Sequence, residues 1–180
     1  ADWEKNIILQ EVVEYIKEHC KENKQNNTPF PLHKYLHHGM SSQAMAFNLI
    51  GPLITREGGY APLSDALKSK GISGADDIAE ALFEYEDREV FNEDTGQPTS
   101  VDVVLKNSSG NPHIFIECKF EEKEFGGCSV FRDGDCNGMN PIGSENDCFL
   151  HFIGRTYWNL MAKHGIMESF RNDRQCLFIE

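Results

Sequence analysis

The sequence is short of positive charge and has no long apolar run. Seventeen Lys and Arg stand against 29 Asp and Glu in 180 residues, giving a formal net charge of −12 and a sequence pI near 5.0. That deficit argues against a protein that holds polyanions by bulk electrostatics, while leaving room for a local basic groove. No apolar stretch approaches the ~20 residues that cross a bilayer as a helix. The start, ADWEKNIILQ, lacks the basic-then-apolar order of a secretory signal. The expectation is a soluble, cytoplasmic protein with no membrane partner. Internal repeats and low-complexity tracts are also missing. What is there suffices for a core: 39% of residues are hydrophobic and 11% aromatic, enough to bury roughly 70% of the unfolded surface in one domain spanning residues 1–180. Six cysteines are an even number, yet a chain of this size does not need disulfide staples, so reduced thiols or metal ligands are the better reading.

From Trp3 to Lys21 the residues Trp3, Ile7, Ile8, Val12, Tyr15, Ile16 and Cys20 keep the spacing of one helical face. With the polar connection KENKQNNTPFP, this helix makes an N-terminal extension over residues 1–40, ahead of a core over 41–180. SSQAMAFNLIGPL is a second helix, with Ser41 or Ser42 as N-cap and Gly51-Pro52 as stop or kink. SDALKSKG and SGADDIAEALF are short helix candidates. The period then changes: FEYEDREVF alternates aromatic or apolar with charged residues, SVDVVLKN is β-branched, and HIFIECKF follows the turn NSSGNP, so three strands in a meander are expected. Residues 121–148 are rich in Gly, Asp and Cys and read as a long structured loop. FLHFIGRTYWNLMAKH returns to helical spacing, and RQCLFIE reads as one further strand, whose position carries the expectation of more chain beyond it.

Charges embedded in apolar strands need an explanation. Asp102 sits among Val101, Val103, Val104 and Leu105, and Glu117 and Lys119 sit among Ile114, Phe115, Ile116 and Phe120. Period two puts Glu117 and Lys119 on one strand face, and pairing of the two strands would bring a carboxylate from each to the same point. Two carboxylates beside a backbone carbonyl form a hard oxygen site suited to Mg²⁺ or Mn²⁺, with Lys119 able to act on a water or on charge developing at phosphorus. A surface ion pair is the plain alternative.

VDVVL, a turn, then IECKF resembles the Asp plus Glu-x-Lys signature of the PD-(D/E)XK nuclease superfamily. The resemblance extends to the order of elements over Ser41 to Glu180, and it implies a restriction-endonuclease-like α/β fold with an αβββαβ core, a mixed central sheet flanked by helices. It implies Asp102 and Glu117 as metal ligands, the Cys118 backbone carbonyl as a further ligand, and Lys119 as the catalytic lysine. Val101 stands where Pro precedes the Asp, and the second helix lacks the acid that many members carry there, leaving Gln43 or Glu86 for that role. The activity implied is metal-dependent hydrolysis of phosphodiester bonds, with DNA as the substrate; the rival is an inactive nuclease-fold module binding nucleic acid or protein. A homodimer or larger assembly would supply basic surface.

Cys128, Cys136 and Cys148 follow the third strand, and His151 would complete a Cys₃His set, with Cys176 as another fourth ligand. The resemblance keeps open Zn²⁺ or an iron–sulfur cluster there, against loop thiols without metal. DGDCNG opens like a calcium loop, but Ser144 occupies the position where such loops carry Glu, and an Asp/Gly turn is the better reading. Arg155 lies in the one region with a basic excess and is the candidate for holding a substrate phosphate. His33, His37 and His38, beside Tyr35, read as a solvated face.

Overall fold

The computed structural model describes residues 2–28, 30, 32–94, 98–120 and 127–179. Its contacts gather the chain into two compact units, Ala1–Glu86 with Ser100–Glu121, and Asp87–Thr99 with Glu122–Glu180. The architecture is mixed α/β, with six α-helices and one three-stranded antiparallel sheet among the described residues. None of the described helices is long and apolar enough to cross a membrane.

The first unit holds helices α1 (Gln10–Asn26), α2 (Ser42–Thr55) and α3 (Ala61–Ser69) and strands β1 (Glu80–Glu86), β2 (Ser100–Lys106) and β3 (Pro112–Ile116). The apolar stripe of α1 buries Val12, Val13 and Ile16, which join Ala44, Ala46 and Phe47 of α2 and Leu63 of α3 in one core with Phe83, Val103 and Leu105 of the sheet. Residues 1–40 are part of this core, since Ile7 and Leu36 are buried in it as well. Helix α1 starts later and ends later than its apolar spacing suggests. Trp3–Asn6 forms a separate 3₁₀ turn, and the polar KENKQN continues the helix until Asn27 stops it in the left-handed region at φ 54°. Lys, Glu, Gln and Asn are tolerated on an exposed face, and only the Thr-Pro segment beyond is incompatible with a helix. Ser41 caps α2 as expected, its Oγ accepting the Ala44 N–H at 3.1 Å. Gly51-Pro52 does not end that helix, which runs on to Thr55.

The meander β1–β2–β3 forms in the expected order, with Phe83 opposite Val103, Tyr85 opposite Val101 and Val103 opposite Ile116. The helix expected over SGADDIAEALF does not form. Gly74, at φ +77°, turns the chain, the buried Ser64 hydroxyl donates to the Ala75 carbonyl at 2.5 Å, and Glu80 to Phe83 are drawn into β1 by their partners on β2. Sheet pairing overrides a local helix preference there.

The second unit is built from short pieces: α4 (Ser129–Arg132), α5 (Phe149–Phe152) and α6 (Tyr157–Lys163). The helix expected over residues 149–164 is broken at Gly154, whose φ of +94° no helix accommodates. Among the described residues the expected fourth strand does not form. Of residues 174–179, Gln175 makes a bridge, to Met139, while Cys176, Leu177, Phe178 and Ile179 pack in the small core around Trp158 and Met161. A short apolar run is compatible with either a strand or a buried turn, and periodicity does not separate them. Of the expected αβββαβ order, the terminal strand is therefore missing.

Candidate functional site

The chemistry-bearing residues of the first unit meet at the end of the sheet where β2 begins and β3 finishes. Asp102 is the third residue of β2. The register puts Glu84 of β1 across from it, between the pairs Phe83–Val103 and Tyr85–Val101. Glu84 has φ 52°, a left-handed backbone that is uncommon outside glycine. Such a conformation persists only when its surroundings hold it, and it is found preferentially at sites with a function. Ser100 Oγ donates to the Glu84 carboxylate at 3.3 Å, and Gln43 of α2 hydrogen-bonds it from the other side. Gln43 is buried, and its Oε1 accepts the His33 N–H at 2.8 Å, which turns its amide N–H₂ toward Glu84.

Burial is the main cause that pushes the Glu84 carboxyl up to about 7. The hydrogen bonds from Gln43 and Ser100 oppose the shift, and the negative charges of Asp102 and Glu117 add to it. Three carboxylates thus share one neighbourhood, and one of them holds its proton near neutrality. Just past β3, the Cys118 N–H donates to Asp102 Oδ2 at 2.6 Å, and Lys119 Nζ meets Glu117 Oε1 at 2.6 Å. Both are charge-assisted contacts of the stronger kind. The Cys118 thiol is buried and its pKa is raised to about 11, first by burial and then by Asp102 and Glu117. It is therefore a poor nucleophile and a poor metal ligand at neutral pH, which leaves its backbone as the group with a part in this site.

Asp102, Glu117 and Lys119, expected from the sequence, come together with Cys118, and Gln43 reaches them through Glu84. Glu86, the other expectation, lies at the end of β1 opposite Ser100. Glu84 itself is the residue that sequence reasoning missed. The donor chemistry suits a hard divalent cation: Glu84, Asp102, Glu117 and the Cys118 carbonyl are all oxygen donors, and the Glu84 carboxyl, raised first by burial, is raised further by the charges of Asp102 and Glu117. Among the described residues, no three His, Cys, Asp or Glu side chains are gathered as a metal-holding set.

Arg155 belongs to the second unit, where its guanidinium donates to the Asn92 carbonyl. In the same unit Cys136, Cys148 and Cys176 line one pocket, and neither Cys128 nor His151 is among its lining residues. The sequence did not single out Glu93, which is buried. It accepts the Thr99 N–H at 2.7 Å, the Thr99 hydroxyl at 2.9 Å and the Tyr157 hydroxyl, fastening the excursion between β1 and β2.

A family model described as REase-ARP, Restriction Endonuclease associating with ARP, matches residues 1–180. No curated protein and no solved structure matches the chain significantly.

Proposed function

The chain belongs to the REase-ARP family, and from that premise we propose that it is a metal-dependent nuclease of the PD-(D/E)XK type that hydrolyses phosphodiester bonds in DNA. The observation that carries this reading is the nearness of Glu84 and Asp102, on neighbouring strands, to Glu117 and Lys119 just past β3. Asp102 and Glu117, with the Cys118 carbonyl and Glu84, would hold Mg²⁺ or Mn²⁺. Bound there, such an ion supplies Lewis acidity toward a phosphoryl oxygen and acidifies water.

The chain's own groups do the rest. Gln43 and Ser100 fix the Glu84 carboxyl, which takes up or gives up a proton close to neutral pH. The Cys118 N–H fixes Asp102. Lys119, charged and beside Glu117, donates toward the phosphoryl oxygens as negative charge grows on them in the transition state. Water forms the new P–O bond in line as the bond to the leaving oxygen breaks. The chain's charge of −12 does not attract DNA, and an ARP partner, as the family description has it, would provide the basic surface.

The test is cleavage of supercoiled plasmid and of linear single- and double-stranded DNA with Mg²⁺ or Mn²⁺. Wild type is compared with Asp102→Ala, Lys119→Ala and Glu84→Gln. We expect cleavage that EDTA abolishes and that falls about 10²–10³-fold in the first two variants, the usual cost of losing a group that stabilises transition-state charge. Equal cutting by the variants, or none by wild type, would remove the catalytic assignment and leave a nuclease-fold binding module.

A further inference from the structure

The second unit draws together four thiols that are far apart in sequence. Between Cys128, Cys136, Cys148 and Cys176 lie seven, eleven and 27 residues, a spacing that fits no familiar zinc motif. Cys136, Cys148 and Cys176 nevertheless line a single pocket with Asn137, Asn140 and Asp147. Backbone contacts lock its walls: the Cys176 N–H donates to the Gly138 carbonyl at 2.9 Å, and Met139 bridges to Gln175. Cys128 is tied to the same segment, its N–H donating to the Phe178 carbonyl at 2.6 Å.

Two of the sulfurs also receive backbone N–H groups from two residues further along. Gly138 N–H donates to Cys136 Sγ at 3.4 Å, with Gly138 in the left-handed region at φ +71°. Phe178 N–H does the same for Cys176. Burial pushes the Cys176 thiol up, and the Phe178 N–H works against that shift; backbone N–H groups aimed at sulfur are the contacts that orient cysteines around a metal. The charges of Cys128, Cys136 and Cys148 all bear on Cys176, so the four are within electrostatic reach of one another. All four are free of disulfides.

We propose that Cys128, Cys136, Cys148 and Cys176 form a structural tetrathiolate site for one Zn²⁺ ion. Cys176 replaces His151 of the sequence-based set. Soft thiolates select zinc or iron over hard cations, and four of them close the coordination sphere as a structural site requires. The pocket volume of about 70 Å³ is less than half the ~150 Å³ of a cavity that takes a benzene-sized guest. That is room for one ion rather than a four-iron cluster. Since no three of these groups are yet gathered at coordination distance, binding pulls the thiols inward and makes zinc a condition for order in this unit. The unit has little else: its buried core consists of Trp158, Met161 and Cys176.

The full chain, purified without chelator, is expected to carry one zinc per molecule by elemental analysis. Cys136→Ser and Cys176→Ser should lose it, whereas Cys20→Ala and His151→Ala should retain it. Should the serine variants fail to fold, two measurements on wild type decide. Co²⁺ in place of Zn²⁺ should give the intense visible bands and sulfur-to-metal charge transfer of a tetrahedral four-sulfur site. Chelation should also expose four additional thiols to a thiol reagent. Substoichiometric zinc, a weak six-coordinate cobalt spectrum, zinc loss in His151→Ala, or iron with labile sulfide in protein purified without oxygen would each overturn the assignment. None of these readouts depends on DNA cleavage, so the two proposals fail separately.

Discussion

Glu84 titrates near 4.5 as a free side chain and near 7 in the folded protein, so folding takes up a proton between those values. The native state then binds more protons than the unfolded state, and the derivative of stability with pH is negative across that window. The contribution is fully present below about pH 4.5 and is lost as pH rises through 7. At ~1.4 kcal/mol per pKa unit its upper bound is about 3 kcal/mol. We expect the urea midpoint of wild type in EDTA to fall between pH 5 and pH 8, and Glu84→Gln to flatten that fall. A slope unchanged in the variant would place the proton elsewhere. On the proposed reading Mg²⁺ would bind the folded carboxylates and not the unfolded chain, so that adding it at pH 8 should restore wild-type stability by mass action. Asp102, Glu117 and Lys119 are legible in the sequence because charges among apolar strand residues are costly unless they have a use; only Asp102 lies within a strand, since β3 ends at Ile116 and Glu117 and Lys119 follow it. Glu84 is not legible, because FEYEDREVF alternates as any half-exposed strand does. Only the pairing with β2 and a left-handed backbone select position 84 over 86.

Helices α1 and α2 touch where Gly51 meets Val12. A Cβ added to Gly51 would stand 2.7 Å from one methyl of Val12 and 3.0 Å from the other. Helix propensity alone makes Gly51→Ala stabilising by about 1 kcal/mol. Overpacking against a stiff β-branched side chain costs about 1–3 kcal/mol, and with Val12 fully buried in the core this term wins. Gly51→Ala should therefore lower the denaturation midpoint, and Val12→Ala added to it should recover part of the loss, giving a favourable coupling in the double-mutant cycle. A stabilised single variant would show that the helices separate freely. Cap and stripe made α2 legible, with Ser41 as N-cap and Ala, Met and Phe following. Two misread elements, the helix over 73–83 and the strand over 174–179, are ones whose state depends on a distant partner, whereas the helix over 149–164 is broken locally at Gly154. Of the first two, one finds β2 and pairs with it; the other finds no continuous strand at its side.

Several of the cations that a nucleic acid would need are engaged in ion pairs among the described residues. Lys106 pairs with Glu80 at 3.1 Å, Lys17 with Glu4 at 2.7 Å and Arg171 with Glu168 at 2.6 Å, while the chain carries twelve more acidic than basic residues. Each phosphate contact neutralised by a protein cation contributes about −0.9 to the slope of log affinity against log salt. A protein with six to ten such contacts loses ~10³–10⁵ in affinity between 50 and 200 mM salt. This chain by itself, binding through a metal held by carboxylates and a single lysine, should lose less than about tenfold over that range. Fluorescence anisotropy of a labelled 20-base-pair duplex, titrated with wild type in Ca²⁺ in place of Mg²⁺ to suppress cutting, measures the slope directly. A steep slope would mean that the chain carries its own basic groove. A shallow one means that charge complementarity comes from a partner chain, whose addition should then steepen the slope and tighten binding together.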